Sequence, residues 1–207
     1  VPSVYGLKPR FQGLLRPAVD RLAAAAVTAN QVTVTAAVGS LAVGMAAAFW
    51  AGRRPIFLLV AVWFLVRMGL NAVDGMLARE HDQKSRLGAY LNELGDVVSD
   101  AALYAPFALV PPFGPAWVGV VVVLAIATEF AGALGPMIGA SRHYEGPLGK
   151  SDRAVVFGVL ALWIGVGGPL PGWLALLLPA LAGLALATAA NRVRAGLAEA
   201  AQRDPAG

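Results

Sequence analysis

An all-α integral membrane protein built as a single domain is the fold class this sequence predicts, and three observations predict it. Of the 207 residues, 58% are hydrophobic and 14% charged, with a mean hydropathy of +0.68, whereas an average soluble domain carries roughly 25% charged residues. The apolar residues gather into runs close to the ~20 residues that a helix needs to cross a bilayer. Between the runs stand short connectors rich in Pro, Gly and charge, none long enough to part off a second domain. There is no cysteine, which excludes disulfides and thiolate metal sites.

Residues 1–30 read as a basic arm. It holds Lys8, Arg10, Arg16 and Arg21, and charges distributed throughout it argue against a cleavable leader. Leu14, Leu15, Val19 and Leu22 recur near helical spacing, so the arm is expected to lie along the cytoplasmic interface as an amphipathic helix broken at Pro9 and Pro17. The six-helix bundle follows over 31–194, with spans expected at 31–50, 56–79, 88–110, 115–139, 152–168 and 172–194. A cytoplasmic tail is expected at 195–207.

Loop charges orient the bundle. The connectors AGRRP, PPFGP and GGPLPG fall on one side, and REHDQKSR and ASRHYEGPLGKSD on the other. The second pair carries Arg79, Lys84, Arg86, Arg142 and Lys150, and the tail adds Arg192, Arg194 and Arg203. An excess of Lys and Arg marks the cytoplasmic side, so both termini are expected there, with Arg53 and Arg54 as the exception. The net charge of +4 then reads as topology and contact with anionic membrane lipids. Nucleic acid is not expected as a partner of a chain with so few soluble residues.

The informative stretch is NAVDGMLAREHDQKSRLGAYLNELGDVVSD, residues 71–100. Acids at membrane depth are costly and mark function. At about 100° per residue, Asn71, Asp74, Gly75 and Ala78 share one side of a helix, and Gly88, Asn92, Asp96 and Asp100 follow at successive i,i+4 steps on the next. Oxygen ligands on two facing stripes suit a hard divalent cation that also meets substrate phosphate. Gly75, Ala78 and Gly88 lack bulk, which fits either a nucleotide lying against the backbone or close helix packing. Arg79 is placed to pair with phosphate.

Asp74-Gly75-x-x-Ala78-Arg79, then Gly88, Asn92 and Asp96 at four-residue steps, resembles the signature of the CDP-alcohol phosphotransferases, D-x-x-D-G-x-x-A-R followed by G-x-x-x-D-x-x-x-D. Asn71 and Asn92 stand where that pattern has its first and third acids. Thr28-Ala29-Asn30-Gln31-Val32-Thr33 is similar to the family's T-P-N-x-x-T, and Gly149-Lys150-Ser151-Asp152-Arg153 to its basic G-K segment. The resemblance implies attack of an alcohol hydroxyl on the β-phosphorus of a CDP-linked donor, often CDP-diacylglycerol, with release of CMP. It further implies a Mg²⁺ or Mn²⁺ cofactor, a homodimer, a bacterial inner membrane and a site open to the cytoplasmic leaflet. Asp96 takes the position of the base that deprotonates the acceptor. Asp74, Asp96, Asn71 and Asn92 are the expected metal ligands, and Asp74, Gly75, Ala78, Arg79 and Gly88 the nucleotide contacts.

Two carboxamides in place of acids leave three readings open: a two-metal site that recruits Asp100, a site with one metal, or a degenerate protein that binds nucleotide or lipid without turnover. Lys150 and Arg153, with Arg142 more loosely, are candidates for an acceptor or lipid phosphate, or are ordinary flanking charge. Arg67 lies one turn before Asn71 and is placed to contact phosphate or neutralise Asp100. Glu129, in mid-span, calls for a basic partner or lines the acceptor cavity. His81 and His143 lie in loops and are expected to be solvated. An ion-coupled transporter would also carry intramembrane acids, but no inverted repeat is evident here.

Overall fold

The computed structural model describes residues 8–203, and every described element is helical. Helix α1 (Lys8–Ala24) precedes six longer-range packing helices: α2 (Ala29–Phe49), α3 (Ile56–Glu80), α4 (Arg86–Tyr104), α5 (Pro115–Ala133), α6 (Lys150–Gly165) and α7 (Leu177–Arg203). Short 3₁₀ turns at Ala105–Leu109, Gly135–Ile138 and Gly172–Leu176 finish or introduce helices that the apolar runs alone placed a few residues differently. Their sequences, APFAL, GPMI and GWLAL, contain Pro or Gly and so tighten the chain where hydropathy continues unbroken. Helix α7 runs past the expected end of its span at 194 to Arg203.

Local chemistry sets several helix starts. Thr28 and Gln31 form a capping box: Thr28 Oγ1 accepts from the Gln31 N–H at 3.2 Å, and Gln31 Oε1 accepts from the Thr28 N–H at 2.8 Å. Ser85 caps α4 by accepting from the Gly88 N–H at 2.9 Å, and Asp152 accepts from the Gly149 N–H at 2.9 Å to open α6. Pro115 occupies the first turn of α5, where no intrahelical donor is lost.

Packing runs α2 against α3 and α4, α3 against α6, and α5 against α7, with α4 touching α5. The main core joins these helices through Phe57, Tyr104, Phe107 and Phe157, with the Tyr104 and Phe157 rings stacked at 4.0 Å. Helices α2 and α4 meet backbone to backbone at Gly44, where a Cβ would stand 2.3 Å from the Ala102 carbonyl oxygen. The outward faces are apolar: Val38, Met45, Leu65, Val123 and Val159 are all exposed, as expected where lipid replaces water. Among the described helices, α2, α3, α5 and the segment Gly172–Arg203 are long and apolar enough to cross a membrane on their own. Helix α4 carries Glu93, Asp96 and Asp100, and α6 has 16 residues.

Helix α1 corrects one expectation. Pro17 lies inside it and does not break it. Val19 is completely buried, and with Leu15 and Leu22 it packs on Val73, Met76 and Leu77 of α3. The apolar stripe therefore serves a protein contact, while Leu14 is left 80% exposed. Arg16 to Glu80 at 3.3 Å and His81 to Asp20 at 3.4 Å tie the arm to the end of α3.

Candidate active site

The 71–100 stretch folds into the C-terminal half of α3, a five-residue loop and most of α4, so its two polar stripes lie on consecutive helices. The loop is clamped to the start of α2: Gln83 Oε1 accepts from the Ala29 N–H at 2.7 Å, and Asn30 donates to Ser85 Oγ at 3.4 Å. Gly88 has no side chain because Asn30 Oδ1 occupies the place, 2.6 Å from where a Cβ would stand. Over Gly75 lies the guanidinium of Arg79, with Nη1 2.9 Å from an added Cβ. Small residues at both positions thus admit polar groups close to the backbone.

Asp74 is 6% exposed, and its Oδ2 accepts from the Thr33 hydroxyl at 2.8 Å. Asp96 is partly exposed: Oδ1 accepts from Asn71 Nδ2 at 3.4 Å and from Arg67 Nη2 at 3.3 Å, while Oδ2 is paired with Lys150 of α6. Asn71, Asp74, Asp96 and Lys150 therefore come together from three helices. Asn92, half-buried, stands one turn before Asp96 on α4. Asp100 is placed differently. It is 4% exposed, and its two oxygens are taken by Arg67 Nη1 at 2.5 Å and Arg153 Nη2 at 3.3 Å.

Carboxylate and amide oxygens are the hard donors that Mg²⁺ or Mn²⁺ prefers, so Asp74, Asp96, Asn71 and Asn92 fit such an ion in kind. Among the described residues no group of three or more His, Cys, Asp or Glu side chains is arranged to hold a metal. An ion here rests on two carboxylates supplemented by amides, with Lys150 and Arg67 already neutralising Asp96.

The basic residues expected at an acceptor phosphate separate. Lys150 meets Asp96 at the site. Arg142 pairs with Glu93 and lies over the Tyr144 ring at 4.6 Å, and burial lowers the affinity of its guanidinium for its proton. Arg153 is 1% exposed, donating to Glu129 at 2.8 Å, Thr128 Oγ1 at 3.0 Å and the Leu148 carbonyl at 3.3 Å. Its guanidinium faces the interior, where the buried acids Asp100 and Glu129 hold it. Glu129 has the basic partner its position called for, with Arg192 at 3.4 Å in addition.

Two residues, both named in the sequence, have roles that the sequence did not assign. Thr33, the last residue of the T-x-N-x-x-T stretch, supplies the hydroxyl on Asp74; its signal was its place one turn inside α2, on the face of Ala29. Arg192 read as tail charge yet is 2% exposed, donating to the carbonyls of Thr128 at 2.6 Å and Tyr144 at 3.0 Å. Its signal was the buried stripe Leu181, Ala185, Thr188, Arg192. His143 is not solvated: Nδ1 lies 2.6 Å from Glu145 and Nε2 3.0 Å from Glu199. In that loop the Glu145 carboxyl is held below the usual carboxylate range by its own backbone N–H, the His143 ring and the Tyr144 N–H.

Residues 26–190 match the family model described as CDP-alcohol phosphatidyltransferase. Over 200 residues the chain is 44% identical to the inner membrane protein YnbA of Escherichia coli, a match covering 97% of this chain and 99% of that one. It is similar in fold to the crystal structure of phosphatidylinositol phosphate synthase from Mycobacterium tuberculosis in complex with manganese and citrate. That likeness has a TM-score of 0.68 at 20% identity, over 87% of this chain and 88% of the other.

Proposed function

The chain belongs to the CDP-alcohol phosphatidyltransferase family, a membrane phosphotransferase of phospholipid synthesis, and we propose that it moves a phosphatidyl group from CDP-diacylglycerol to a polar alcohol. The observation that carries this reading is the meeting of Asp74, Asp96, Asn71 and Lys150 between α3, α4 and α6, beside Gly75 and Gly88, where the polar groups of Arg79 and Asn30 lie against the backbone.

In this reading Asp96 receives the proton of the acceptor hydroxyl as its oxygen attacks the β-phosphorus. The bond from that phosphorus to the oxygen bridging the two phosphates breaks, and CMP leaves with the bridging oxygen. Asp74 is held by Thr33 in one direction, so it meets the pyrophosphate side without rotating. Bound at Asp74, Asp96, Asn71 and Asn92, Mg²⁺ or Mn²⁺ supplies neutralisation of the pyrophosphate charge. Ala78 and Arg79 continue the nucleotide side, and Lys150, released from Asp96 by an incoming anion, receives the acceptor's charge or a phosphate oxygen.

Six spanning helices, α2 to α7, with both termini and the site on the cytoplasmic side, complete the proposal. Its support is the Lys and Arg excess of the loops after α3 and α5. The name of the Escherichia coli relative supports a bacterial inner membrane, and the family resemblance supports a homodimer. The test is transfer of label from CDP-diacylglycerol carrying ³²P in its β-phosphate, in proteoliposomes with Mn²⁺ and one alcohol at a time. Label in a new chloroform-soluble phosphodiester is expected for one class of alcohol. Nucleotide binding with no transfer to any alcohol would instead favour a degenerate binding protein, the reading that Asn71 and Asn92 keep in view.

A further inference from the structure

Behind Asp96 the helices hold a run of alternating charges that the transfer chemistry does not use. Arg67 is 3% exposed and grips α4 at two levels. Nη1 donates to Asp100 Oδ1 at 2.5 Å, while Nη2 donates to the main-chain carbonyl of Asp96 at 3.1 Å and to its Oδ1 at 3.3 Å. Asp100 is in turn fixed from the far side by Arg153, itself anchored on Glu129 at 2.8 Å. A guanidinium is a rigid planar fork, so holding one edge of it sets where the other edge points. Buried ion pairs seldom add stability over apolar packing. What this one adds is a direction for the carboxylate one turn nearer the site.

We propose that Arg67, held in place by Asp100, is a positioning residue that aims the Asp96 carboxylate, and that Asp100 is an anchor and not a metal ligand. The proposal deepens the function proposed above and rests on Asp96 receiving the acceptor proton. A cation on Asp100 would have to displace two guanidinium groups from its oxygens, leaving the buried Arg153 with Glu129 alone and Arg67 with Asp96 alone as counterions.

The test uses Arg67→Lys and Asp100→Asn in the full-length protein reconstituted in lipid. Three quantities are read: kcat and KM for the donor, Mn²⁺ affinity without substrate by electron paramagnetic resonance, and thermal unfolding. Arg67→Lys keeps a positive charge opposite Asp100 but loses the fork, so it is expected to fold. Its kcat should fall about 10- to 100-fold through misaimed Asp96, with KM for the donor within about twofold of wild type. Asp100→Asn should follow the same pattern, leave Mn²⁺ affinity essentially unchanged, and add nothing to Arg67→Lys in the double variant. Wild-type kcat in Arg67→Lys overturns the positioning role alone. A loss of Mn²⁺ affinity of about tenfold or more in Asp100→Asn makes Asp100 a ligand and overturns the proposal whatever the turnover. A wild-type protein that releases no CMP with any alcohol sinks the proposed function, and the positioning role with it.

Discussion

Among the described residues the one side-chain donor to Asp74 is the Thr33 hydroxyl, at 2.8 Å, with the Gly75 backbone N–H beside it. Thr33→Val keeps the volume and removes that donor. Loss of such an orienting partner typically costs about 10- to 100-fold in metal affinity, and this is the expected weakening of Mn²⁺ binding by resonance titration. Unchanged affinity would mean that Asp74 is not a ligand or is oriented without Thr33. Single residues were also where the sequence was most and least legible. Asp74, Asn71 and Asp96 announced themselves by helical spacing, because spacing along one helix survives into three dimensions. Arg153 did not: its sequence neighbours Lys150 and Gly149 suggested a flanking or phosphate-facing charge, and its burial against Asp100 and Glu129 follows from the packing of α6 on α3, which no single stretch displays.

At the scale of helices, the close approach of α2 and α4 keeps Thr33 and the Asp96 face in register. Gly44 sits in that contact, and a Cβ there would collide with the backbone of Ala102 at 2.3 Å. Gly44→Val is expected to cost about 1–3 kcal/mol, as overpacking in cores does, seen as a lower unfolding midpoint in detergent; an unchanged midpoint would show the two helices free to separate. The loop between α5 and α6 has its own pH dependence. Because the Glu145 carboxyl titrates below its unfolded value, its contribution to loop order is full at neutral pH and is lost as the pH falls below the ordinary carboxylate range. The protection factors of the amides of residues 141–149, which correct for the slower intrinsic exchange in acid, should therefore fall on acidification and do so less in Glu145→Gln. Helix existence was readable because hydropathy runs match the bilayer. Helix ends were not, since Ala105–Leu109 and Gly172–Leu176 are as apolar as the helices they adjoin and differ only in backbone hydrogen bonding. Pro17 misled for the converse reason: packing of Val19 on α3 holds α1 together across it.

Over the whole molecule, charge is distributed so that the polar end of the bundle is also the basic one. Lys84, Arg86, Arg142 and Lys150 lie in or beside the loops after α3 and α5, the same end that carries Asp74 and Asp96. A chain without native cysteine allows this to be checked directly. In intact spheroplasts, Gly52→Cys is expected to react with a membrane-impermeant maleimide and Lys84→Cys only after lysis; the opposite pattern would invert the topology. The family's pattern was legible because its residues lie within thirty positions of one another, while the charge chain from Asp96 to Arg192 draws on five helices and no single stretch displays it. The central claim, that these residues form a transfer site, is tested most directly by CMP release from CDP-diacylglycerol in proteoliposomes, wild type against Asp96→Asn. Release that requires both an alcohol and a divalent cation, and that Asp96→Asn abolishes while still binding nucleotide, is the expected result. Equal release from the two proteins would contradict it.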